Sequence, residues 1–271
     1  MLVLAATPIG NLQDASMRLR LALESFEFIA AEDTRTLKKL ANGLSIKLKA
    51  QLFSLHEHNE SERIAQLVEL ATENDLLLVS DAGMPTISDP GFLLVRACAQ
   101  AGVEVISLPG PSAVVTALAV SGLPTDRFCF EGFLPRKSGE RQRVFLALAQ
   151  EKRTMVFFEA PHRILDALQD AHKVLGDRRA SVSRELTKKF EHTERGTLSD
   201  LIEWAKSIPK GEMVLVLEGA EDLVYDEKLL GQQALNLVAQ GMGLKQASIQ
   251  VAMQTGASRS VIYEQALLLK A

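Results

Sequence analysis

Cysteine is scarce in this chain: Cys98 and Cys129 are the only two among 271 residues, and they lie far apart in apolar segments. They read as packing residues in a reducing compartment rather than as a disulfide or a metal site. Long apolar runs are missing, so nothing approaches the roughly 18 residues of a membrane-spanning helix. The opening Met1-Leu2-Val3-Leu4-Ala5-Ala6 lacks a basic leader, and Thr7-Pro8 interrupts it too early for a signal peptide. The expectation is a cytoplasmic protein with no membrane partner. A basic excess is also lacking, since 30 Lys and Arg stand against 34 Asp and Glu, for a net charge of −4. Nonspecific grip on naked nucleic acid draws on such an excess. Any action on RNA must therefore rest on a local patch or on recognition of a folded particle. No GxGxxG follows a strand and no Walker loop occurs, which removes support for dinucleotide binding and ATP hydrolysis. His56 and His58 flank Glu57 without further ligands at metal-binding spacing, so they read as surface residues and no metal is expected.

What is present is a soluble, globular composition, 47% hydrophobic and 24% charged, long enough for one large or two medium domains. Continuous apolar runs predict strands over 2–6, 28–31, 76–80 and 103–108, which suits a parallel sheet buried on both faces. Helices fit over 63–71 and 92–101, the second capped by Asp89 with Pro90 behind it and ended by Gly102. Gly122, Pro124, Gly132 and Pro135 punctuate a connecting stretch over 121–135. Beyond it, strands over 155–158, 180–185 and 213–218 alternate with helices over 142–150, 163–175 and 198–207. From 229 onward no strand signal remains, and three helices turn at 241–243 and near 255–256. The expected organisation is an α/β domain over 1–118, a second over 119–224, and a helical, helix-turn-helix-like module over 225–271.

Pro8, Pro85, Pro90, Pro109 and Pro111 gather just after the predicted strands of the first domain. Three loops there, Thr7-Pro8-Ile9-Gly10-Asn11, Ser80-Asp81-Ala82-Gly83-Met84-Pro85 and Pro109-Gly110-Pro111-Ser112-Ala113, are rich in residues that shape the main chain. Small residues let main-chain groups approach a flat ligand, and proline fixes the loop. In open α/β sheets ligands bind beyond the carboxyl ends of the strands. Three such loops together predict a ligand site.

These loops belong to a longer set of ordered motifs: TPIGN (7–11), AEDTR (31–35), HEHNE (56–60), SDAGMPTISDPG (80–91), PGPSA (109–113), EGFLPRKSG (131–139), EAPHR (159–163), RELTKKFE (184–191) and RGTL (195–198). Over essentially its whole length the chain resembles the ribosomal RNA small subunit methyltransferase I family, a branch of the tetrapyrrole-methylase superfamily. The resemblance implies two α/β domains with S-adenosylmethionine in the cleft between them, usually in a homodimer. It also implies methylation of a cytidine ribose 2′-hydroxyl in the decoding region of 16S rRNA within the small subunit. Carried over residue by residue, the cofactor contacts fall on Pro8, Ala82, Gly83, Met84, Ile87, Ser112 and Ala113, and across the cleft on Glu159, Leu186 and Met213. Met84 departs from the family, which commonly has threonine there.

For proton removal the candidates are Glu32, Asp33 and Glu185, with Lys188 able to lower the ribose hydroxyl's pKa. Arg35 and Lys189 are placed to hold phosphates, as are Arg136, Lys137 and Arg141 in the basic turn after Phe133-Leu134-Pro135. Two other readings compete. Methylation of a corrin or porphyrin shares fold and cofactor but leaves the AEDTR and RELTKKFE motifs unused. A non-catalytic nucleic-acid-binding regulator built on the C-terminal helices leaves the three loops unexplained.

Overall fold

The computed structural model describes residues 1–207, 210–221 and 226–270, which form two compact units, Met1–Ala220 and Glu221–Ala271. The larger unit opens with β1 (Leu2–Ala5), α1 (Met17–Ser25), β2 (Phe28–Ala31), α2 (Thr34–Gly43), β3 (Gln51–Ser54), α3 (Glu60–Glu73), β4 (Leu76–Val79), α4 (Phe92–Gln100) and β5 (Val105–Leu108). These strands make one wholly parallel sheet in the order β3-β2-β4-β1-β5. Alternation along β1 explains its two buried faces. Val3 and Ala5 pack with Leu19 and Leu23 of α1 and Leu37 of α2, whereas Leu2 and Leu4 pack with Leu67 of α3 and Leu94 of α4.

The chain continues through α5 (Ala113–Ser121), β6 (Phe128–Phe133), α6 (Ser138–Ala147), β7 (Thr154–Glu159), α7 (Ile164–Leu175), β8 (Arg179–Arg184), β9 (His192–Thr197), α8 (Leu198–Ala205) and β10 (Met213–Leu217). The second sheet runs β6-β7-β10-β8-β9 and is mixed, with only β6 and β7 parallel. Met155, Phe157 and Leu215 face α6, α7 and α8, while Val156, Val214 and Val216 face Val114, Ala117 and Leu118 of α5. Ile9 from the first loop joins that second cluster, so α5 and the β1 loop tie the two sheets into one body.

Several elements depart from the sequence expectation. The stretch 121–135 is not merely a connection, because it contains β6, with a bulge between Phe130 and Gly132. The expected division after 118 falls inside α5. The expected start of the third segment, between 224 and 225, lies outside the described residues. The second unit consists of α9 (Glu227–Ala239), α10 (Leu244–Thr255) and α11 (Arg259–Lys270) around Leu230, Val251 and Ile262. Its helices cross closely at Gly231, where an added Cβ would come within 2.9 Å of the Gln265 main chain.

The start of α4 is capped differently from the expectation. Its N-cap is Gly91, with φ +118°, and the buried Glu60 accepts from Gly91 N–H and Leu93 N–H at 3.0 Å and from Leu94 N–H at 3.4 Å through one oxygen, Oε1. Asp89 is thereby left for other work. Glu60→Ala strands three partly or fully buried donors, and the expected loss is about 3 kcal/mol of stability. Glu60→Gln, whose amide oxygen still accepts, should lose clearly less. Urea unfolding of both variants checks this, and equal losses would refute the capping role.

Candidate active site

The carboxyl ends of β1, β2, β4 and β5 open onto a cavity of about 660 Å³, well within the range of small-molecule sites. Its floor is built from main chain. Thr7 and Gly83 exchange reciprocal N–H···O bonds of 2.9 and 3.1 Å, which staple the loop after β1 to the loop after β4. Thr7 Oγ1 donates to Ser80 O and Ser80 Oγ to Gly83 O, each at 3.2 Å. Gly83 sits at φ +85°, and Thr86 and Ser88 are also left-handed, at +77° and +62°. Such backbone in non-glycine residues is uncommon and persists only where the surroundings hold it. The third loop leads into α5, whose N-cap Ser112 makes no side-chain cap bond and whose first residues Ala113 and Val114 line the cavity. The first-turn N–H groups of α5 therefore lack an intrahelical acceptor and favour negative charge.

Of the expected cofactor contacts, Ala82, Gly83, Met84, Ile87, Ser112, Ala113, Glu159 and Met213 line this cavity. Pro8 and Leu186 do not. Pro8 is buried, and Leu186 is buried in one cluster with Ile9 and Val214, which do line the cavity. Met84 Sδ takes the Ser107 hydroxyl at 3.9 Å, so this side chain is directed at β5. Glu159 is wholly buried at its side chain and already committed, accepting from Ala160 N–H at 2.8 Å and from Arg163 Nη2 at 3.1 Å. Burial nonetheless raises its pKa.

The four catalytic candidates separate by environment. Glu32 lines the cavity, and burial raises its pKa, as does repulsion from Asp81 and Asp33. Asp33 does not line it. Its carboxylate grips Arg35 through Nε and Nη2 and caps α2, which holds its pKa down at about 2. Glu185 lines the cavity with φ +50°, but the hydrogen bond from Lys188 lowers its pKa. Lys188 lies just behind, with Nζ 3.0 Å from Glu185 and 2.9 Å from Glu212. Burial lowers its pKa, but the bonds to Glu212 and Glu185 outweigh that and keep it raised. Gly10 and Gly211 make room for this turn: an added Cβ would fall 2.5 Å from Lys188 Cγ and 2.4 Å from Glu185 Cγ, respectively.

In the sequence Asp89 has only the form of a helix cap. It lines the cavity, and burial together with repulsion from Glu32 pushes its pKa up to about 6. Asp81, beside it, is raised by burial as well. Asp81 accepts from Asp33 N–H at 3.1 Å, and Glu32 from Asp81 N–H at 3.4 Å, so the acidic groups form one linked cluster. Phe133 and Phe158 complete the apolar wall.

The basic residues distribute unevenly. Arg136 and Lys137 are exposed. Arg141 is a correction to the expected phosphate contacts: it is 3% exposed, with Nε and Nη2 on Asp170 at 2.8 Å and Nη1 on Arg136 O at 2.9 Å. No free donor faces solvent for a phosphate. Arg35 is exposed but tied to Asp33, and Lys189 lies over the Phe190 ring at 5.5 Å.

Comparison with known proteins places this geometry among methyltransferases. A profile of the tetrapyrrole (corrin/porphyrin) methylases matches residues 1–202. The chain is 46% identical to ribosomal RNA small subunit methyltransferase I of Haemophilus influenzae, over 97% of this chain and 95% of that protein. It is 46% identical to the Mycobacterium tuberculosis protein of the same name, over 93% and 88%, and 42% to that of Escherichia coli O157:H7, over 98% and 94%. Among solved structures the fold is similar to that of diphthine synthase, with a TM-score of 0.60 at 16% identity over 80% of this chain and 90% of that one. It is also similar to uroporphyrin-III C-methyltransferase from Thermus thermophilus, at 0.54 and 18% over 79% and 93%.

Proposed function

Because the chain belongs to the tetrapyrrole methylase family, and within it to the ribosomal RNA small subunit methyltransferase I branch, we propose that it methylates a cytidine ribose 2′-hydroxyl in the decoding region of 16S rRNA. The methyl donor in this reading is S-adenosylmethionine. The observation that carries the reading is the convergence of the three main-chain loops, the acidic cluster and the second sheet's Glu159 and Met213 on one cavity. The lining suits that donor. The start of α5 offers unpaired N–H groups to a carboxylate, and Ile9, Ile87, Met213 and Val214 offer an apolar wall to a flat ring. Glu32, Asp81 and Asp89 balance a cationic ligand.

When bound, S-adenosylmethionine supplies an electrophilic methyl group on a positively charged sulfur. The protein's share is to hold the ribose oxygen in line and to accept its proton, and alignment accounts for much of the barrier lowering. Asp89, with Glu32 beside it, is the base in this proposal, because a carboxylate poised near the working pH is the most effective proton acceptor. Asp33 is excluded by its grip on Arg35, and Lys188 by its proton; Lys188 instead keeps Glu185 ionised. A homodimer belongs to the same proposal, and light scattering tests it.

The deciding experiment incubates the protein and S-adenosylmethionine with small subunits from a strain lacking the gene, and maps ribose methylation by mass spectrometry. One new 2′-O-methylcytidine in the decoding region is expected. Methylation of a base, or of a corrinoid precursor with no RNA modified, would overturn the reading. With a net charge of −4, naked rRNA should be the poorer acceptor. Replacing Arg136 and Lys137 with alanine should flatten the salt dependence of RNA binding by about one counterion term per lost phosphate contact, with cofactor affinity unchanged. A wild-type salt slope in that double variant would reduce both residues to a solvated face.

A further inference from the structure

A second, more open cleft of about 820 Å³ adjoins the first, and Phe133 and Ala160 line both. We propose that this cleft is a nucleotide subsite, which seats the RNA residue adjoining the methylated one, with its base on Phe133 and its phosphate between Arg136 and His162. The inference rests on the proposed RNA ribose methylation and deepens it.

Three observations carry it. First, Phe133 is 62% exposed in a chain with few aromatic residues, although its ring packs edge-to-face on Phe158 with centroids 5.4 Å apart. Phe158 lines the cofactor cavity and leans in turn on Phe130 at 4.8 Å. What distinguishes this ring is its place, since it lines both cavities and offers an open face to a ligand that enters either. Second, a guanidinium and an imidazole frame the ring. Arg136 and His162 line the same cleft and are exposed, and the Arg136 guanidinium has no acidic partner among the described residues. An aromatic face beside a free cation is the pairing by which proteins hold unstacked ribonucleotides, with the base on the ring and the phosphate on the charge.

Third, the platform is rigid. Arg163 Nη2 donates to Leu134 O and, at 3.0 Å, to Pro135 O, while Arg141 Nη1 donates to Arg136 O at 2.9 Å. Three consecutive carbonyls after Phe133 are thus held by two guanidiniums, each fixed by a buried carboxylate, Glu159 for Arg163 and Asp170 for Arg141. A turn held this way loses little freedom when a ligand arrives, which favours binding. Arg141 and Arg163 are positioning residues here, and Phe133, Arg136 and His162 are the contacts. Because Phe133 and Ala160 belong to both cavities, the occupant of the second lies next to the reacting nucleotide.

The test uses the whole chain with S-adenosylmethionine and small subunits whose 16S rRNA is ligated from a synthetic segment spanning the target. The RNA carries 2-aminopurine on one side or the other of the acceptor cytidine. Stacking on Phe133 should quench the fluorophore at one of the two positions. Phe133→Ala should abolish the quench, and Phe133→Trp should restore it. On assembled subunits Phe133→Ala should lower kcat/KM about tenfold or more, with KM bearing most of the change. Wild-type protein that methylates subunits yet quenches neither fluorophore would overturn the subsite and leave the reaction standing. A quench that survives Phe133→Ala would overturn the stacking, and so would a parallel loss of cofactor affinity, which would assign Phe133 to the first cavity alone. Wild-type protein that methylates no RNA would overturn the proposed function, and the subsite with it.

Discussion

Asp89→Asn should slow methyl transfer by about 10²–10⁴-fold, the range removed with a positioned general base, while the protein still binds S-adenosylmethionine and unfolds at a temperature no lower than that of the wild type. The wild-type pH–rate profile carries the sharper signature. A base must be deprotonated to work, so the rate should fall with unit slope as the pH drops below about 6, the value to which burial and Glu32 push Asp89. In Asp89→Asn, Glu32 loses a charged neighbour, and any residual acidic limb should move to lower pH. Because two carboxylates interact here, the limb belongs to the pair rather than to one residue. The same shift has a stability consequence of opposite sense. A carboxyl whose pKa is raised by folding favours the folded state below its ordinary value near 4, and that contribution is lost as the pH rises through about 6. An Asp89→Asn enzyme with wild-type kcat and an unmoved acidic limb would eliminate Asp89 as the base.

Asp170→Ala should destabilise the protein by about 3–5 kcal/mol, because it leaves the buried Arg141 charge without its counterion. Asp170 receives three hydrogen bonds of 2.8 Å, from Ser138 Oγ, Gln142 Nε2 and Arg141 Nε, and Arg141 Nη2 pairs with it at the same distance. Burial alone would raise its pKa, but these donors together hold it below the ordinary carboxylate value. The stabilisation is therefore present above pH about 4 and is lost as acid takes the carboxylate through its lowered pKa. The double variant Arg141→Met, Asp170→Leu should recover most of the lost stability, since an apolar pair of similar volume costs little in place of a buried ion pair. It should not recover RNA affinity, because the Arg136 carbonyl would lose its donor. Denaturant titration and subunit methylation read the two effects separately. Equal stability of the single and double variants would show that the ion pair is not what holds this region.

The parallel sheet was legible because Leu76–Val79 and Leu2–Ala5 are continuous apolar runs, which is what burial on both faces demands. The edge strands β3 and β9 were not. His192–Thr197 is polar throughout and Gln51–Ser54 carries a single buried residue, so neither shows a period that separates strand from loop. β6 was hidden by Gly132, which signals a turn in sequence but serves a bulge in the structure. At the site, the loops announced themselves through glycine and proline, and eight of the ten residues carried over as cofactor contacts line the cavity. Charge was less legible. Asp89-Pro90-Gly91 has the form of a cap, and only the approach of Glu60 from 31 residues away shows that the capping is done elsewhere. Arg141 looked like its neighbours Arg136 and Lys137 because a helix turns one member of a basic run inward without leaving a mark in composition.

The reciprocal bonds between Thr7 and Gly83 join peptide groups, not side chains. A lineage can therefore rewrite most of the residues around this staple and keep its geometry. Divergence in such a cleft should be fast in letters and slow in shape. Scaffolds at 16% and 18% identity keep the same overall fold over about four-fifths of this chain. Residues whose side chains do the holding, such as Glu60 and Asp170, are the ones whose replacement a descendant would have to compensate elsewhere.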